Sequence, residues 1–330
     1  MTPLWTISNP KIKTLDCTIR DGGLVNDHYF TDEFVSAIYR ACVDARVDYM
    51  ELGYKNSDKL FSPDKNGLWK FCKEDDLRRI VGENPTSVKL ACMIDAAKSE
   101  WKTDVLPKSQ SPLDMIRVAF YAHQTDEAIA MIEDAYEKGY EVSANLMAVT
   151  VVEEKELDAI LERLTKSPAA VFVIVDSFGS LTLLQTEYLA KKYFEYASSV
   201  GKEVGAHFHN NMQLAFANTL LAANLGATRL DASFGGLGRG AGNCPMELLL
   251  ATVNPEQYDL RPVYHCLEDA VEKIRRVLEW GASPQFNITG QHNVHPRAAI
   301  AARKAPETHD KYVQFYDQIE RETKENKANG

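Results

Sequence analysis

Two histidines separated by one residue are the groups in this chain best placed to do chemistry. His207 and His209 stand in the run Gly-Ala-His-Phe-His-Asn-Asn, residues 205–211. In a strand, side chains two positions apart point to the same face, so both imidazoles can reach one metal ion. A carboxylate from elsewhere would complete a two-histidine, one-carboxylate site with open coordination positions. Such a site activates a substrate oxygen and indicates an enzyme. The alternative is a pair of ordinary histidines on an edge strand.

The overall composition limits the class of protein. The 330 residues are 45% hydrophobic and 25% charged, which is typical of a globular protein. A net charge of -10 argues against nucleic-acid binding, which favours a basic surface. Six scattered cysteines without a CxxC pair indicate reduced thiols. With neither a signal peptide nor an apolar run near the ~20 residues that span a bilayer, we expect a cytoplasmic protein that acts on a small molecule and binds no membrane.

Short apolar runs alternate with longer amphipathic stretches along the chain. Eight strands are predicted, at residues 14–19, 49–54, 88–94, 115–120, 141–149, 170–177, 203–209 and 228–235. Their spacing suits one β–α unit each, and eight units match a (β/α)8 TIM barrel. A doubly wound sheet is the alternative, but its GxGxxG fingerprint is absent after the first strand. We therefore predict a barrel domain over residues 1–246 and additional C-terminal helices over residues 247–330, which form a lid, a dimer surface or a plain extension.

Helices are predicted between and after the strands. Thr31 is a good N-cap residue, and acidic residues follow it in the first turn. Glycines at 139, 201 and 226 stand where helices should end. The predicted helices cover residues 32–45, 125–138, 153–164, 182–199, 212–225, 264–280 and 309–324. A stretch containing proline and asparagine, residues 283–296, separates the last two.

The carboxyl ends of the predicted strands carry an unusual number of polar groups. Functional side chains of a TIM barrel collect at these ends. Charged or metal-binding groups stand at six of them, and buried charges are costly unless they are paired or ligated. The groups concerned are Arg20, Asp21, Glu51, Tyr54, Arg117, Asn145, Asp176, Ser177, His207, His209, Asp231 and Asn243.

Three segments resemble the signatures of the DRE-TIM metallolyases. They are LDCTIRDGG at residues 15–23, HFHNN at residues 207–211 and GGLGRGAGN at residues 235–243. The superfamily includes hydroxymethylglutaryl-CoA lyase, 4-hydroxy-2-oxovalerate aldolase, isopropylmalate synthase and homocitrate synthase. The aldolase branch is the most similar, because it shares the HNN and GLGxGAGN patterns. The resemblance covers roughly residues 13–246 and is specific, since the three motifs occur in the right order at the ends of strands one, seven and eight.

The resemblance implies a metal-dependent aldolase or lyase. Asp21, His207 and His209 would ligate a divalent ion, with Asn243 as a further ligand. The ion would be Mn²⁺ or Mg²⁺, although mixed oxygen and imidazole ligands also suit other divalent ions. A pyruvate-like 2-oxo acid would chelate this ion while a C–C bond is cleaved or formed through a metal-stabilised enolate.

The resemblance also suggests roles for residues around the ion. Arg20 is similar to the arginine that stabilises the enolate. A structural salt bridge to Glu51 or Asp176 is the alternative, and the two roles do not exclude each other. Glu51 would orient this arginine or the substrate. Arg117 would bind a substrate carboxylate or belong to a buried ion pair, and Asp176 would hold a ligand histidine or Arg117. The substrate-binding set is Arg117, Asn145, Asp176, Ser177, Gly235 and Gly236.

The general base of the family is not carried over. The aldolase branch has a histidine where this chain has Leu24, and the lyase branch has a cysteine in a loop that here reads Gly-Leu-Gly at residues 236–238. We expect His28 or Tyr54 to take part in the acid–base step. The complete set of alternatives is His28, Tyr54, Lys55, Tyr121, His123, His292 and His295.

Two other functions stay open at this point. One is a Claisen-type synthase that condenses acyl-CoA on the same barrel, and the other is a catalytically silent barrel that binds a metal or metabolite. The resemblance also makes a homodimer and a partner dehydrogenase plausible.

Overall fold

Eight parallel strands close into a barrel in the computed structural model, which describes residues 6–329. Strands adjacent in the chain are neighbours in space, and the last strand pairs with the first. The strands are β1 (Lys13–Asp16), β2 (Tyr49–Tyr54), β3 (Lys89–Asp95), β4 (Met115–Phe120), β5 (Glu141–Leu146), β6 (Val171–Asp176), β7 (Glu203–Phe208) and β8 (Arg229–Ala232). The predicted (β/α)8 TIM barrel is confirmed.

Helices surround this barrel and continue beyond it. The N-cap prediction at Thr31 is confirmed, because its side chain accepts a hydrogen bond from Phe34 N at 3.3 Å. The α-helices are α1 (Thr18–Gly22), α2 (Asp32–Ala45), α3 (Glu74–Val81), α4 (Trp101–Asp104), α5 (Thr125–Glu137), α6 (Glu154–Lys166), α7 (Leu183–Ser198), α8 (Ala215–Asn224), α9 (Met246–Thr252), α10 (Leu260–Cys266), α11 (Glu272–Arg275), α12 (Pro284–Gln291), α13 (Arg297–Lys304) and α14 (Tyr312–Asn329). Short 3-10 turns lie at Leu68–Lys70, Lys108–Gln110, Ala122–Gln124, Val149–Val151 and Phe234–Gly236.

The barrel interior is filled by side chains. Leu15, Tyr49, Met115 and Val171 belong to one buried cluster inside it. Since side chains alternate between the two faces of a strand, Glu51, Arg117 and Asp231 continue the same inward-facing rows toward the carboxyl ends. The opposite rows pack under the helices and make the main core. The interior therefore forms a solid floor beneath the carboxyl end of the barrel.

The first strand is shorter than predicted. It ends at Asp16, three residues before the predicted end, and the chain then turns into α1. The Asp16 carboxylate accepts hydrogen bonds from the Thr18 backbone N–H at 3.3 Å and from its hydroxyl, a local turn that competes with strand continuation. Arg20 and Asp21 therefore lie on a short helix and not on the strand itself. β5 and β8 also end three residues before their predicted ends.

The C-terminal region has more helices than predicted. The helix predicted at residues 264–280 is interrupted: α10 begins at Leu260, a π turn covers Leu267–Val271, and α11 ends at Arg275. Residues 283–296 contain α12, whose start was recognisable because Ser283 is an N-cap and Pro284 occupies the first helical position. α10 packs against α2 and so belongs to the ring around the barrel. The division at residue 246 stays a prediction.

Two further predictions concern thiols and membranes. All six cysteines are free and buried. Within residues 6–329, no helix is both long and apolar enough to cross a membrane.

Candidate active site

A small cavity opens at the carboxyl end of the barrel. Its volume is about 60 Å³. Its lining combines apolar side chains with charged and polar groups from α1, the strand ends and the glycine-rich loop after β8. The lining residues are Arg20, Asp21, Leu24, Tyr54, Met93, Ala119, Asn145, Met147, Val175, Ser177, His207, His209 and Arg239. Seven of the residues predicted from the sequence therefore line one cavity: Arg20, Asp21, Tyr54, Asn145, Ser177, His207 and His209.

Asp21, His207 and His209 form a buried cluster that could hold a metal ion. One donor atom from each lies within 4.8 Å of the others. His207 belongs to β7 and His209 follows it by one residue, so the alternation of the strand aims both rings into the cavity. Burial would raise the pKa of Asp21, but His209 and Arg20 lower it to well below its usual range. The Asp21 carboxylate is therefore ionised and ready to act as a ligand.

Several buried atoms that could ligate an ion in or beside this cluster have no hydrogen-bond partner. They are His207 Nε2, His209 Nδ1 and Asn243 Oδ1. Buried polar atoms are almost always paired, so such a group needs a ligand to explain it. Imidazole nitrogens with carboxylate and amide oxygens are also a suitable donor set for a divalent ion. The residues present fit a metal on both grounds.

Asn243 lies beside the cluster. Its Nδ2 donates to Asp21 Oδ2 at 2.8 Å, while its Oδ1 is left unpaired. Gly238 passes so close that a Cβ there would lie 2.5 Å from Asp21 Oδ2 and 2.4 Å from Asn243 Nδ2. Only glycine allows the loop to approach this closely. The role of Asn243 as a ligand stays a prediction.

Asp231 contacts both His207 and Arg117, the two partners that the sequence analysis gives to Asp176 as alternatives. Asp231 Oδ2 lies 3.1 Å from His207 Nδ1, a contact whose angle falls short of a well-formed hydrogen bond, and accepts a hydrogen bond from Arg117 Nη2 at 2.5 Å. A carboxylate behind a ligand histidine fixes the orientation of the ring. The prediction for Asp176 is wrong in this respect: it follows Val175, which faces the cavity, so its own side chain points away. Asp176 instead accepts the backbone N–H bonds of Ser180 and Leu181, both at 3.0 Å.

A chain of ion pairs fixes the arginines. Arg20 Nη1 donates to Asp21 Oδ1, and Arg20 Nε donates to Glu51 Oε2, both at 2.7 Å. Glu51 Oε2 also accepts from Arg117 Nη1 at 2.9 Å. The structure therefore contains the predicted salt bridge between Arg20 and Glu51, and Arg20 lines the cavity. The substrate-binding prediction for Arg117 is wrong. Arg117 is paired with two carboxylates and only 1% of its surface is exposed, so it belongs to a buried ion pair and does not line the cavity.

Asn145 and Ser177 line the cavity, and the two glycines do not. Asn145 Oδ1 accepts from Ser143 Oγ at 2.7 Å, and Ser177 Oγ accepts from Ala148 N at 2.8 Å. Gly235 lies under the C-terminal helices, where its carbonyl accepts from Trp280 Nε1 at 3.1 Å. Gly236 is buried, and the nearest atom to a Cβ there would be the Asn243 carbonyl oxygen. The substrate-binding prediction for Gly235 and Gly236 is therefore wrong, because Gly235 faces the C-terminal helices and Gly236 packs against the backbone of its own loop.

Of the candidate bases, Tyr54 lines the cavity. Burial raises the pKa of Tyr54 well above its usual range, so its hydroxyl keeps its proton. His28 packs edge-on against Tyr54 with ring centres 5.4 Å apart, and neither of its nitrogens has a partner. Burial and nearby Lys70 lower the pKa of His28 to about 3, so this imidazole is neutral. Both predicted residues lie at or beside the cavity.

The other candidate bases lie further away or have other partners. Lys55 Nζ donates to Glu74 Oε1 and to the Cys72 carbonyl, both at 2.9 Å, so it is not free for a Schiff base. The Tyr121 and His123 rings stack on each other, with centroids 6.0 Å apart, and His292 packs against Tyr316. His295 Nε2 lies 3.3 Å from Arg239 Nη1 and brings the C-terminal helices to the edge of the site.

Sequence reasoning overlooked Arg239. Its backbone N–H donates to Asp21 Oδ2 at 3.2 Å, and its Nη2 donates to the Ser177 carbonyl at 2.6 Å. A single charged residue inside a glycine-rich loop was the available signal. Asp231 was noticed at the end of its strand but was given no role.

Known proteins resemble this chain along most of its length. A family model described as HMGL-like matches residues 11–268. Oxaloacetate decarboxylase from Mycobacterium tuberculosis is 32% identical over 255 residues, 76% of this chain and 72% of that protein. 4-Hydroxy-2-oxovalerate aldolase from Thermus thermophilus is 32% identical over 255 residues, 76% of this chain and 71% of that protein. Among solved structures, the N-terminal domain of a candidate aldolase from Bacteroides vulgatus gives a TM-score of 0.75 at 26% identity, covering 90% of this chain and 98% of that one.

Proposed function

This chain belongs to the HMGL-like family, and from that premise we propose a metal-dependent lyase that cleaves or forms a C–C bond next to the carbonyl of a 2-oxo acid. The observation that carries the proposal is the buried Asp21, His207 and His209 cluster at the mouth of the barrel. Its unpaired donor atoms face a cavity that also holds a fixed arginine. The similarity to an oxaloacetate decarboxylase and to 4-hydroxy-2-oxovalerate aldolases supports the same class of reaction.

Asp21, His207 and His209 would hold the ion, and Asn243 Oδ1 is a further donor. When bound, a divalent ion supplies a Lewis acid for the oxygens of the 2-oxo carboxylate. The family resemblance favours Mn²⁺ or Mg²⁺, while the mixed set of oxygen and imidazole donors also suits other divalent ions.

Arg20 has the position of an electrostatic stabiliser. Glu51 and Asp21 hold its guanidinium on the cavity wall, so it needs no reorganisation when negative charge develops on the substrate oxygen. Glu51 and Asp21 also raise the pKa of Arg20 more than burial lowers it, which keeps the group charged.

Tyr54 is the group that we assign to proton transfer. Its protonated hydroxyl can donate to the carbon or oxygen that gains charge as the C–C bond breaks. His28 is neutral and lies against the Tyr54 ring with free nitrogens, so it is available to restore the proton through a water molecule. This pair would replace the histidine that stands at the position of Leu24 in the aldolase branch.

The proposal is tested by metal analysis combined with exchange of the C3 protons of pyruvate in D₂O, followed by NMR. We expect a stoichiometric metal and metal-dependent exchange in the wild type. Asp21→Asn should weaken metal binding by more than the 10–100-fold that is typical for loss of an outer-sphere partner, and exchange should fall with it. Asp95→Asn is the matched control, because Asp95 ends β3 at the same side of the barrel but pairs with Lys98.

Three results would contradict the proposal. Failure to bind Mn²⁺ or Mg²⁺ removes the metal-dependent mechanism. Metal binding without exchange of any 2-oxo acid favours a metabolite-binding barrel. Turnover that requires an acyl-CoA favours the condensing synthase. A homodimer and a partner dehydrogenase stay predictions, which light scattering and co-purification can check.

A further inference from the structure

Arg239 brings a positive charge into the cavity from the glycine-rich loop. Its backbone N–H bonds to Asp21, while its side chain extends to the Ser177 carbonyl just beyond β6. The side chain therefore crosses the mouth of the barrel beside the ligand histidines, which lie on and after β7. Arg239 is one of the residues that line the cavity.

The partners of this guanidinium are neutral. Nη2 donates to a backbone carbonyl, and Nη1 faces the His295 imidazole at 3.3 Å. Burial, together with Arg239 and Arg297, lowers the pKa of His295 to about 3, so this imidazole carries no charge at neutral pH. Nε of Arg239 is buried and has no partner. Three of the five guanidinium N–H groups are therefore unused.

The other buried arginines differ in this respect. Arg20 is paired with Asp21 and Glu51, Arg117 with Glu51 and Asp231. Among the residues that the structure describes, no carboxylate lies within 4.0 Å of the Arg239 side-chain nitrogens. Removing a cation from water without a paired carboxylate is costly. An anionic ligand would remove this cost.

The group on the substrate that Arg239 would bind is not the 2-oxo carboxylate that the proposed function places at the metal. Arg20 already stands beside the metal cluster at that end. The lining also includes the apolar side chains of Leu24, Met93, Met147 and Val175, along which a short carbon chain would lie. We propose that Arg239 binds a second anionic group at the far end of the substrate, so that this enzyme selects dianionic 2-oxo acids; the inference rests on the proposed function.

Binding of matched acids that lack a cleavable bond tests this selection. Calorimetry on the Mn²⁺-loaded protein would compare 2-oxoglutarate with 2-oxopentanoate, and 2-oxoadipate with 2-oxohexanoate. Within each pair the acids differ by the distal carboxylate alone. In at least one pair we expect the diacid to bind about tenfold or more tightly, because a hydrogen bond between charged groups in a partly buried site is strong.

Variants of Arg239 test whether this residue causes the preference for the diacid. Arg239→Gln should abolish the preference for the diacid, and Arg239→Lys should keep part of it. Arg297→Gln removes an exposed positive charge two residues from His295 and should leave the preference unchanged. Equal affinity for both acids of each pair in the wild type, or a preference that survives in Arg239→Gln, would overturn the inference. If neither acid binds better with Mn²⁺ than without it, the proposed function fails as well.

Discussion

The two ends of the barrel use the same kinds of charged residue to different effect. At the amino-terminal end, Arg229 bridges Glu141 at 2.7 Å and Glu203 at 2.6 Å, and lies over the Tyr49 ring. Tyr49 in turn donates to Glu141 at 2.8 Å. At the carboxyl end, Arg20 and Arg117 share Glu51 in a similar way.

The difference lies in the polar atoms that are left without partners. None of the side-chain atoms of the amino-terminal network is both buried and unpaired. At the carboxyl end, the cavity is surrounded by unpaired atoms of His207, His209, Asn243 and Arg239. Complete pairing stabilises the fold, whereas incomplete pairing leaves room for ligands. Substitutions at the two ends should therefore change different measured quantities.

Arg229→Met should have the largest effect on stability. It leaves Glu141 and Glu203 without their shared cation, which should lower the free energy of unfolding by about 3 kcal/mol, the lower limit for a broken buried pair, because the network is partly exposed. Urea denaturation of the metal-free protein measures this change, and metal affinity should stay the same. Lys166→Met, which breaks the exposed pair with Glu162, is the control and should cost at most about 0.5 kcal/mol. Equal losses in both variants would contradict a structural role for the amino-terminal network.

Asp231→Asn should act mainly on the metal. Because Asp231 orients His207, we expect metal affinity to fall 10–100-fold, as for other carboxylates behind a ligand histidine. Titration with Mn²⁺ followed by calorimetry measures it. Asp176→Asn tests the assignment that the structure corrected, since its carboxylate binds backbone N–H groups instead. A loss of affinity in Asp176→Asn as large as in Asp231→Asn would show that the structural assignment is wrong.

Asp16 should make a smaller contribution to the free energy of unfolding, and this contribution should depend on pH. Its Oδ2 is also buried and unpaired, but it does not line the cavity. Burial raises its pKa from 3.8 to about 7, so the folded protein binds a proton that the unfolded chain releases near pH 4. Between about pH 4 and pH 7 this group therefore makes the free energy of unfolding decrease as pH rises, and its favourable contribution is lost through pH 7.

Asp16→Asn removes this titration. The wild type should lose stability relative to Asp16→Asn between pH 5 and pH 8, by on the order of 1 kcal/mol or more. Urea denaturation of both metal-free proteins at the two pH values measures the difference. If wild type and Asp16→Asn differ in stability by the same amount at both pH values, Asp16 stays ionised in the fold and water satisfies its unpaired oxygen.

Periodicity and turn residues were sufficient to predict the barrel. The apolar runs of the eight strands and the helix starts such as Thr31 are local features, and local features survive in the fold. The C-terminal helices were harder, because α10 to α14 have short, mixed patterns and the π turn at Leu267–Val271 interrupts the helical period. The Ser283 and Pro284 start signal was present but was not used.

Several predicted residue roles depended on whether a strand residue faces into the barrel or out toward the helices. β6 reads Val-Phe-Val-Ile-Val-Asp and is buried on both faces, so its sequence does not show which face meets the interior. For this reason Asp176 could not be told apart from Asp231 as the partner of His207. Leu24, which stands where the aldolase branch has a histidine, lines the cavity.

By itself, the sequence determined the barrel and the placement of His207 and His209 on one face at its carboxyl end, and the resemblance to the metallolyases added Asp21 to them. The period of a strand puts alternate residues on one face, and the carboxyl ends of parallel strands meet at one end of a barrel. Only the tertiary structure decided that Arg117 pairs with Asp231, 114 residues away, and that Arg239 reaches the Ser177 carbonyl, 62 residues away. Such contacts depend on the stagger between strands and on the path of the glycine loop, which no local pattern encodes.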